Sequence, residues 1–491
     1  MTDLADPGTL DWDYDHLIDG RRVPAADGRR FRSLNPSTGD LLGTAARGSA
    51  NDVDAAIASS RRAGADSSWA GLAPVERGRL LTRLGATILA HREELALIEC
   101  LDTGQPLGQA RGDIDTAARY FEYYGGLADK VEGAQLPLDD KHFAFTSKEP
   151  YGVVGVIVPW NAPVNQAARS VAPALCVGNT CVVKPAEQTP FTAVRLAELA
   201  AAVGIPPGVL NVVTGFGGEA GEALIRHEAV RKISFTGSVP TGRHIAGVAA
   251  ERLVPSSLEL GGKSANIVFA DADLAAVVAG LVRTTTRKAG QICSAATRLL
   301  VQANAVDEVV DRAAEAVSKV TIGPGLDDPM LGPLVSAEQI DRVLGFVADG
   351  RSAGARVVQG GNRSRRDDLA KGYFMEPTIF RDVDPGMRIA QEEIFGPVVS
   401  VIAFHSAAEA VAIANGTAYG LAAGVHTKDI DLAFRVSRTL EAGQVFINGY
   451  QAGGVETPFG GYKNSGWGRE KGVEAINHYS QLKTTIITIG T

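Results

Sequence analysis

Three side chains in this sequence are suited to nucleophilic or acid–base chemistry: a cysteine, a glutamate and an asparagine. Cys293 lies in Gly-Gln-Ile-Cys-Ser, and its thiolate would be a strong nucleophile, although most single cysteines are small buried hydrophobes. Glu259 stands in an apolar run before Gly-Gly-Lys, where a buried carboxylate is costly unless it has a use. The side-chain amide of Asn161, in Pro-Trp-Asn, can donate to an oxyanion. No one of these residues is decisive alone.

Two glycine-rich turns and one Lys–Glu pair could bind a nucleotide. The turn at 215–221 follows a predicted strand and opens a helix, so its backbone can approach a phosphate. Its spacing is GxGxxxG rather than GxGxxG, and an ordinary turn explains it equally well. The turn at 235–238 has the same context, although Ser238 can simply cap the helix. Lys184 and Glu187 follow another strand and could bracket a ribose, or both could be solvated.

These residues must be positioned by strands and helices that alternate along the chain. Four apolar runs predict strands that are buried on both faces of a parallel sheet: 153–158, 181–183, 209–213 and 232–235. A helix predicted at 189–203 makes strand–helix–strand units of them. A second α/β unit is predicted to contain a strand at 265–269, a helix ending near 288, a strand at 298–302 and helices near 305–319 and 337–353.

The remaining segments follow different patterns. Helical periodicity at 51–63 and 76–101 predicts that the N-terminal region is mostly helical. Residues 355–372 are basic and glycine-rich, which predicts an exposed hairpin or loop. The β-prone segment 482–489 is a terminal strand, and such a strand usually pairs with another strand of the same chain or of a second one.

Composition excludes several classes of protein. The chain has 491 residues, of which 45% are hydrophobic, and this indicates a globular protein with more than one core. The net charge is −8 and the sequence has no Lys/Arg block, so it does not predict the basic surface that nucleic-acid binding requires. Four cysteines without CxxC and eight histidines without HExxH give no basis for a metal site. Because no signal peptide or membrane span is recognisable, we expect a cytoplasmic protein that binds no membrane.

Nine segments resemble motifs of the aldehyde dehydrogenase superfamily, in the family's order and over nearly the whole chain. They are IDG at 18–20, NPSTG at 35–39, PWNAP at 159–163, KPAEQTP at 184–190, FTGS at 235–238, ELGGKS at 259–264, GQICSAATR at 290–298, EEIFGPV at 392–398 and PFGGYKNSGWGRE at 458–470. The resemblance implies an α/β fold with a Rossmann-like cofactor domain, an α/β catalytic domain and a β-strand oligomerisation arm. Its cofactor domain is a variant whose glycine spacing departs from GxGxxG.

The resemblance also implies domain boundaries and an oligomer. It assigns 1–127 and 150–261 to the NAD-binding domain and 262–477 to the catalytic domain. The segments 128–149 and 478–491 resemble the bridging arm, which would give the terminal strand a partner sheet. Since family members are dimers or dimers of dimers, we expect a homodimer or homotetramer.

Four catalytic roles follow from the resemblance. Cys293 is the nucleophile that forms a thiohemiacetal with an aldehyde, and Asn161 stabilises the oxyanion together with the Cys293 backbone N–H. After hydride transfer, Glu259 is the general base that activates water to hydrolyse the thioester. Its presence favours hydrolysis over transfer to coenzyme A, and the intact trio argues against a protein that kept only the fold. Glu470 matches a position that relays or positions this proton.

The implied cofactor is NAD, with no metal. Lys184 and Glu187 match the residues that hold the adenine ribose, and the Glu187 carboxylate would repel the extra phosphate of NADP. The other implied cofactor residues are Gly217, Gly221, Gly237 and Ser238 at the pyrophosphate, Trp160 as the wall there, Glu393 at the nicotinamide ribose and Phe395 against the nicotinamide.

Two departures from the common family pattern concern the substrate pocket. Many members have an aromatic residue after the Asn of PWN and a Trp seven positions further, where this chain has Ala162 and Arg169. Phe459 is the aromatic residue that remains. The combination resembles the branch that oxidises aromatic aldehydes, and it predicts an aromatic or polar-substituted substrate. In two alternatives, Arg169 binds the distal carboxylate of a semialdehyde, or it pairs with a structural acid.

Overall fold

Strands and helices alternate through residues 7–489, the part of the chain that the computed structural model describes. The strands are β1 (Asp13–Tyr14), β2 (His16–Ile18), β3 (Arg21–Val23), β4 (Arg30–Leu34), β5 (Leu41–Ala46), β6 (Gln135–Leu136), β7 (His142–Pro150), β8 (Val153–Ile157), β9 (Thr180–Lys184), β10 (Leu210–Val212), β11 (Val230–Thr236), β12 (Ser256–Glu259), β13 (Ala265–Val268), β14 (Arg298–Gln302), β15 (Arg356–Gln359), β16 (Thr378–Arg381), β17 (Val398–Phe404), β18 (Tyr419–Gly420), β19 (Ala422–His426), β20 (Gln444–Ile447), β21 (Tyr462–Lys463), β22 (Gly466–Trp467) and β23 (Ser480–Thr488). The helices are α1 (Ala50–Ala65), α2 (Pro74–Ala90), α3 (Arg92–Thr103), α4 (Leu107–Leu127), α5 (Pro163–Cys176), α6 (Phe191–Ala202), α7 (Glu222–Arg226), α8 (Val239–Glu251), α9 (Leu274–Thr286), α10 (Val306–Ser318), α11 (Ala337–Ser352), α12 (Arg388–Gln391), α13 (Ala407–Asn415), α14 (Ile430–Thr439) and α15 (Glu474–Tyr479).

An eight-stranded sheet contains the first group of apolar runs. Its strand order is β22-β12-β11-β8-β9-β10-β2-β3, and the five strands from β12 to β10 are parallel. The chain runs from β8 outward through β9 and β10, then returns to β11 on the other side of β8. The loops after β8 and β11 therefore diverge and leave a crevice at the carboxyl ends of these strands, the usual ligand position in such sheets.

A seven-stranded sheet contains the second α/β unit. Its order is β15-β16-β17-β14-β13-β19-β20, and every neighbouring pair is parallel except β15 with β16. All residues of β13 and most of those of β14 and β17 are buried, because helices cover both faces of the sheet. The predicted α/β fold class is confirmed.

The terminal strand pairs within its own chain. β23 forms nine antiparallel residue pairs with β7, and β6 lies on the other edge of β7. The outer edge of β23 has no strand partner among residues 7–489. This strand exposes large apolar side chains, including Leu482 at 65% and Ile486 at 61% of their surface. An open apolar edge of this kind can pair with another chain.

Three predictions about the elements are confirmed in part. The predicted N-terminal helices are present as α1–α4, but the short strands β1–β5 precede them and were missed, because segments of two to six residues give a weak periodic signal. The periodic segment 76–101 is helical as predicted and forms two helices, since the backbone at His91 leaves the helical range and the pattern resumes directly in α3. The basic segment 355–372, predicted as a hairpin or loop, begins with the edge strand β15, which pairs antiparallel with β16.

The domain division is kept as a proposal. Each of the two large sheets takes its strands from one proposed domain, except that β22 of the 262–477 segment closes the edge of the first sheet beside β12. Residues 1–6, which belong to the proposed first domain and to the acidic N-terminus, lie outside the described range, as do residues 490–491 of the arm. No helix within residues 7–489 is long and apolar enough to cross a membrane.

The exposed edge of β23 leads to a prediction about assembly. We expect the unmodified chain to sediment as a multiple of its 51.3-kDa mass, because a second copy can cover the apolar edge. The double variant Ile486→Lys/Ile487→Lys should shift sedimentation velocity toward the monomer. Leu253→Lys, which changes an exposed leucine outside the arm, is the matched control. A monomeric unmodified chain would contradict the prediction.

Candidate active site

The carboxyl ends of the parallel strands bring together motifs that are far apart in the sequence. β8 leads into Trp160 and Asn161, β9 ends at Lys184, β11 leads into Gly237, and β12 ends at Glu259. Parallel strands end on the same side of a sheet, so all five residues lie at one edge of it. The topology therefore produces one polar crevice from separate segments.

A cavity of about 180 Å³ opens at this edge. The predicted site residues in its lining are Trp160, Asn161, Gly237, Ser238, Glu259, Cys293, Glu393 and Phe395. It therefore contains residues from the segments around both large sheets and joins the predicted nucleophile and base to most of the predicted cofactor residues.

The other four predicted cofactor residues lie outside the lining of this cavity and adjoin one another. Lys184 Nζ is 3.1 Å from Glu187 Oε2, and burial lowers the pKa of the Lys184 ammonium. Gly217 and Gly221 bound a π-helical turn that continues into α7. A Cβ on Gly221 would lie 3.9 Å from the Lys184 side chain, so this turn faces the Lys–Glu pair. The Lys184 ammonium can donate hydrogen bonds to hydroxyl groups, and the Glu187 carboxylate can accept hydrogen bonds from them.

Glu393 and two rings form another wall of the 180 Å³ cavity. The Gly262 N–H donates to Glu393 Oε1 at 3.1 Å, and burial raises the pKa of Glu393 to about 7. A Cβ on Gly261 would lie 2.3 Å from Glu393 Oε2, so a side chain there would displace the carboxylate. The rings of Trp160 and Phe395 meet edge to face, with their centroids 5.2 Å apart.

Cys293 lies in a loop between α9 and β14 whose backbone is strained. Lys288 and Ala289 have φ values of 50° and 52°, a left-handed conformation that is uncommon for residues with a side chain. Gly290 continues it at 71°, and a Cβ there would lie 2.2 Å from the Gly396 carbonyl oxygen. Strain of this kind persists only where the surrounding contacts hold it.

Two side chains hold this loop. The Gln291 amide donates to the Lys288 carbonyl at 2.9 Å and accepts from the Val335 N–H at 3.0 Å. Lys288 Nζ forms a buried ion pair with Asp113 Oδ2 of α4 at 2.5 Å. Asn161 Nδ2 donates to the Gln291 carbonyl at 2.8 Å, which ties the predicted oxyanion donor to the loop of the nucleophile.

Sequence reasoning did not identify Asp113, Lys288 or Gln291. Gln291 lies within the motif around Cys293, and its position two residues before the cysteine was an available signal. Lys288 and Asp113 belong to no motif, and only the docking of α4 against the loop pairs them. No local pattern could have found that contact.

Burial shifts the protonation of the predicted nucleophile and of the predicted base. The pKa of the Cys293 thiol is raised to about 12, chiefly by burial; Arg169 opposes this shift, and Glu393 and Glu259 add to it. The pKa of Glu259 lies well above its usual range, again because of burial, with Glu470 adding to the effect. Neither Glu259 carboxylate oxygen has a hydrogen-bond partner among the described residues. The resting site therefore favours a neutral thiol beside a carboxyl group that is free to take or give a proton.

A second cavity, of about 470 Å³, lies on the other side of the nucleophile. Ala162, Arg169 and Phe459, the three predicted substrate-pocket residues, line it. Asn161 and Cys293 line both cavities. Molecules in the two cavities can therefore meet at the Cys293 sulfur.

Arg169 lies in the wall of the larger cavity, but its charge is neutralised inside the protein. Its Nε forms an ion pair with the Glu470 carboxylate, and these residues are 5% and 0% exposed. The guanidinium donates to Thr236 Oγ1 at 3.0 Å and lies 5.3 Å from the centroid of the Phe459 ring. Glu470 also accepts from the Ser170 hydroxyl at 2.9 Å. These contacts favour the alternative in which Arg169 pairs with an acid of the protein.

Residues 23–485 match the family described as the aldehyde dehydrogenase family. The chain belongs to this family. An aldehyde dehydrogenase of Aspergillus niger is 42% identical over 476 residues, which cover 96% of this chain and 95% of that protein. The motif-based assignment to the aldehyde dehydrogenases is therefore confirmed.

Solved structures of other aldehyde dehydrogenases have the same fold. The Bacillus cereus enzyme in complex with NAD+ is 41% identical, with a TM-score of 0.95 over 97% of each chain. Betaine aldehyde dehydrogenase of Staphylococcus aureus in complex with NAD+ is 38% identical, with a TM-score of 0.96 over 99% of this chain and 96% of that one. The roles of the individual site residues in the present chain stay predictions.

The raised pKa of Cys293 predicts how its reactivity depends on pH. Since the thiolate is the reacting form, alkylation of the free protein by iodoacetamide should accelerate about tenfold per pH unit from pH 7.5 to 9.5. An unperturbed thiol would level off near its pKa of about 8.5. Peptide mass spectrometry at timed intervals measures modification of Cys293, and the Cys293→Ala variant gives the background. A plateau below pH 9 would contradict the assigned shift.

Proposed function

We propose that this aldehyde dehydrogenase oxidises an aldehyde to its carboxylic acid with NAD, through a covalent intermediate on Cys293. The observation that carries the proposal is the position of Cys293 between the two cavities. One cavity contains five of the nine predicted cofactor residues, and the other has room for a substrate. A sulfur between them can hold the reacting carbon beside the cofactor.

The chain's own groups fit NAD. The carboxylates of Glu187 and Glu393 can each accept from ribose hydroxyls, and Lys184 can donate beside Glu187. Ser238 caps α8, whose N-terminus faces the same edge of the sheet and suits a pyrophosphate. Two relatives of known structure bind NAD+, which supports the same cofactor here. When bound, NAD supplies a hydride acceptor.

The first half of the reaction uses the thiol and the amide. The Cys293 thiol loses its proton to solvent, and its Sγ thiolate then bonds to the aldehyde carbon. The Asn161 amide has two hydrogens, and the contact with the Gln291 carbonyl occupies one of them. The second can donate to the oxyanion of the thiohemiacetal, together with the Cys293 N–H. Loss of hydride leaves a thioester on Cys293.

The second half of the reaction uses Glu259. Its carboxylate takes a proton from water as the water oxygen attacks the thioester carbon, and this proton passes to the Cys293 thiolate as the acid leaves. A base held without hydrogen-bond partners keeps its lone pairs available for that water. Glu470 lies in the ion pair with Arg169, which supports a positioning role more directly than direct proton transfer.

The substrate pocket supports an aromatic or polar-substituted aldehyde. Ala162 is small and leaves space beside Asn161, while the Phe459 ring offers an apolar surface for a substrate ring. The alternative substrate, a semialdehyde whose carboxylate is bound by Arg169, is less well supported. That carboxylate would have to compete with Glu470 for the guanidinium.

Two further proposals concern the setting in which the enzyme works. The exposed apolar edge of β23 supports a homodimer or homotetramer. The four cysteines are unpaired, which supports the reducing environment of the cytoplasm.

The decisive experiment measures NADH formation with a panel of aliphatic, aromatic and carboxylated aldehydes. We expect aldehyde-dependent NADH with a free acid as the product, and a higher kcat/KM for substituted benzaldehydes than for acetaldehyde. Cys293→Ala should lose more than about 99% of the rate, because a covalent route is worth several powers of ten, while NAD binding persists. NADH formation by Cys293→Ala near the unmodified rate would show that the nucleophile lies elsewhere.

A second prediction separates the base from the nucleophile. Glu259→Gln keeps the size of the side chain but cannot take a proton, so steady-state turnover should fall on the order of 10²–10⁴-fold. Acyl enzyme should accumulate, giving a rapid burst of up to one NADH per site before the slow phase. Stopped-flow absorbance measures the burst. Glu251→Gln, at the exposed end of α8, is the control, and unchanged turnover in Glu259→Gln would exclude this base.

A further inference from the structure

The larger cavity contains one half-buried cation that has no hydrogen-bond or ion-pair partner among the described residues. Its cationic lining residues are Arg119, Arg169, Arg287, Lys288 and Lys471. Arg119, Arg169 and Lys288 each form an ion pair with an acidic residue of the chain. Arg287 is exposed and donates to a glutamine side chain. The Lys471 ammonium has no hydrogen bond or ion pair within residues 7–489.

The backbone of Lys471 has an uncommon conformation. Its φ is 65°, and Gly472 continues the left-handed turn at 58°. Lys471 Nζ lies 5.9 Å from the centroid of the Phe459 ring, and the side chain is half-buried in the cavity wall. The ammonium therefore lies beside the ring against which we expect the substrate to pack.

The surroundings of Lys471 make its unpaired charge unfavourable. The pKa of Lys471 is lowered to about 8, chiefly by burial; Arg169 adds to this shift and Glu456 opposes it. Glu456 is the competing acceptor, but its exposed carboxylate forms no ion pair with Lys471. A half-buried ammonium that lacks a hydrogen-bond or ion-pair partner is stabilised most by a ligand that brings an acceptor to it.

We propose that Lys471 binds an anionic oxygen, either a carboxylate or a phenolate, that the aldehyde carries away from its reacting carbon. This inference rests on the proposed function and narrows its substrate to aldehydes with such a group. Arg169 is less suited to bind this anionic group because Glu470 already neutralises its charge. A cationic aldehyde would meet an unpaired like charge, so this pocket selects against it.

The test compares two aldehydes that differ only in the anionic group, 4-carboxybenzaldehyde and benzaldehyde. The readout is the ratio of their kcat/KM values, which cancels effects that both substrates share. In Lys471→Met, which keeps the apolar stem, the ratio should fall about tenfold or more, the scale of a charge-assisted hydrogen bond. Lys471→Arg should keep most of the ratio because it keeps the charge. Lys471→Gln is a second neutral variant, used if the methionine variant does not fold.

Arg287→Met is the matched control, since it removes a cation that is exposed at the same cavity. It should change the ratio far less than Lys471→Met. Glu456→Gln removes the competing acceptor and should raise the ratio. An unchanged ratio in the folded neutral Lys471 variants, or an equal fall in Arg287→Met, overturns this inference while benzaldehyde oxidation still supports the proposed function. A chain that oxidises neither aldehyde with NAD overturns both.

Discussion

Strands buried on both faces impose the main constraint on this molecule. β8 and β9 have almost no solvent-exposed residue, so helices must cover the sheet on both sides and crossover connections must return each strand in parallel. All parallel strands then end at one edge, and polar side chains can be placed there without entering a core. Trp160, Lys184 and Glu259 lie at that edge for this reason. The crevice is a consequence of the topology, and the second sheet completes it with the loop of Cys293.

The same burial that builds the site shifts the charges within it. Three acidic groups, Cys293, Glu259 and Glu393, have raised pKa values, with burial as the largest cause in each. Such groups cost stability, and proteins keep them where chemistry uses them. The strained loop before Cys293 also lowers stability. The Lys288–Asp113 ion pair and the contacts of Gln291 offset this strain. The region around the nucleophile is therefore held rigidly.

The substrate side of the site is organised by the pairing of its charges. Arg169 departs from the common family pattern, yet its ion pair with Glu470 makes it part of the wall rather than an open cation. That pair also fixes Glu470 near the Ser170 hydroxyl. Lys471, the next residue along the chain, turns back beside Phe459 and has no acceptor within residues 7–489. Arg169 and Lys471 both lie close to the Phe459 ring. Glu470 neutralises Arg169, whereas Lys471 stays available to a ligand.

The sequence by itself determined the α/β alternation, because apolar runs and glycine-rich turns are local signals, and its family motifs predicted the site residues. The runs around Val153 and Ala265 became buried strands, and the motifs around Asn161 and Cys293 lie together as the family pattern implies. The short strands β1–β5 were missed, since segments of two to six residues give too weak a periodic signal. Only the tertiary structure decided that Arg169 meets Glu470, because pairing between distant segments depends on helix and strand docking that no local pattern encodes.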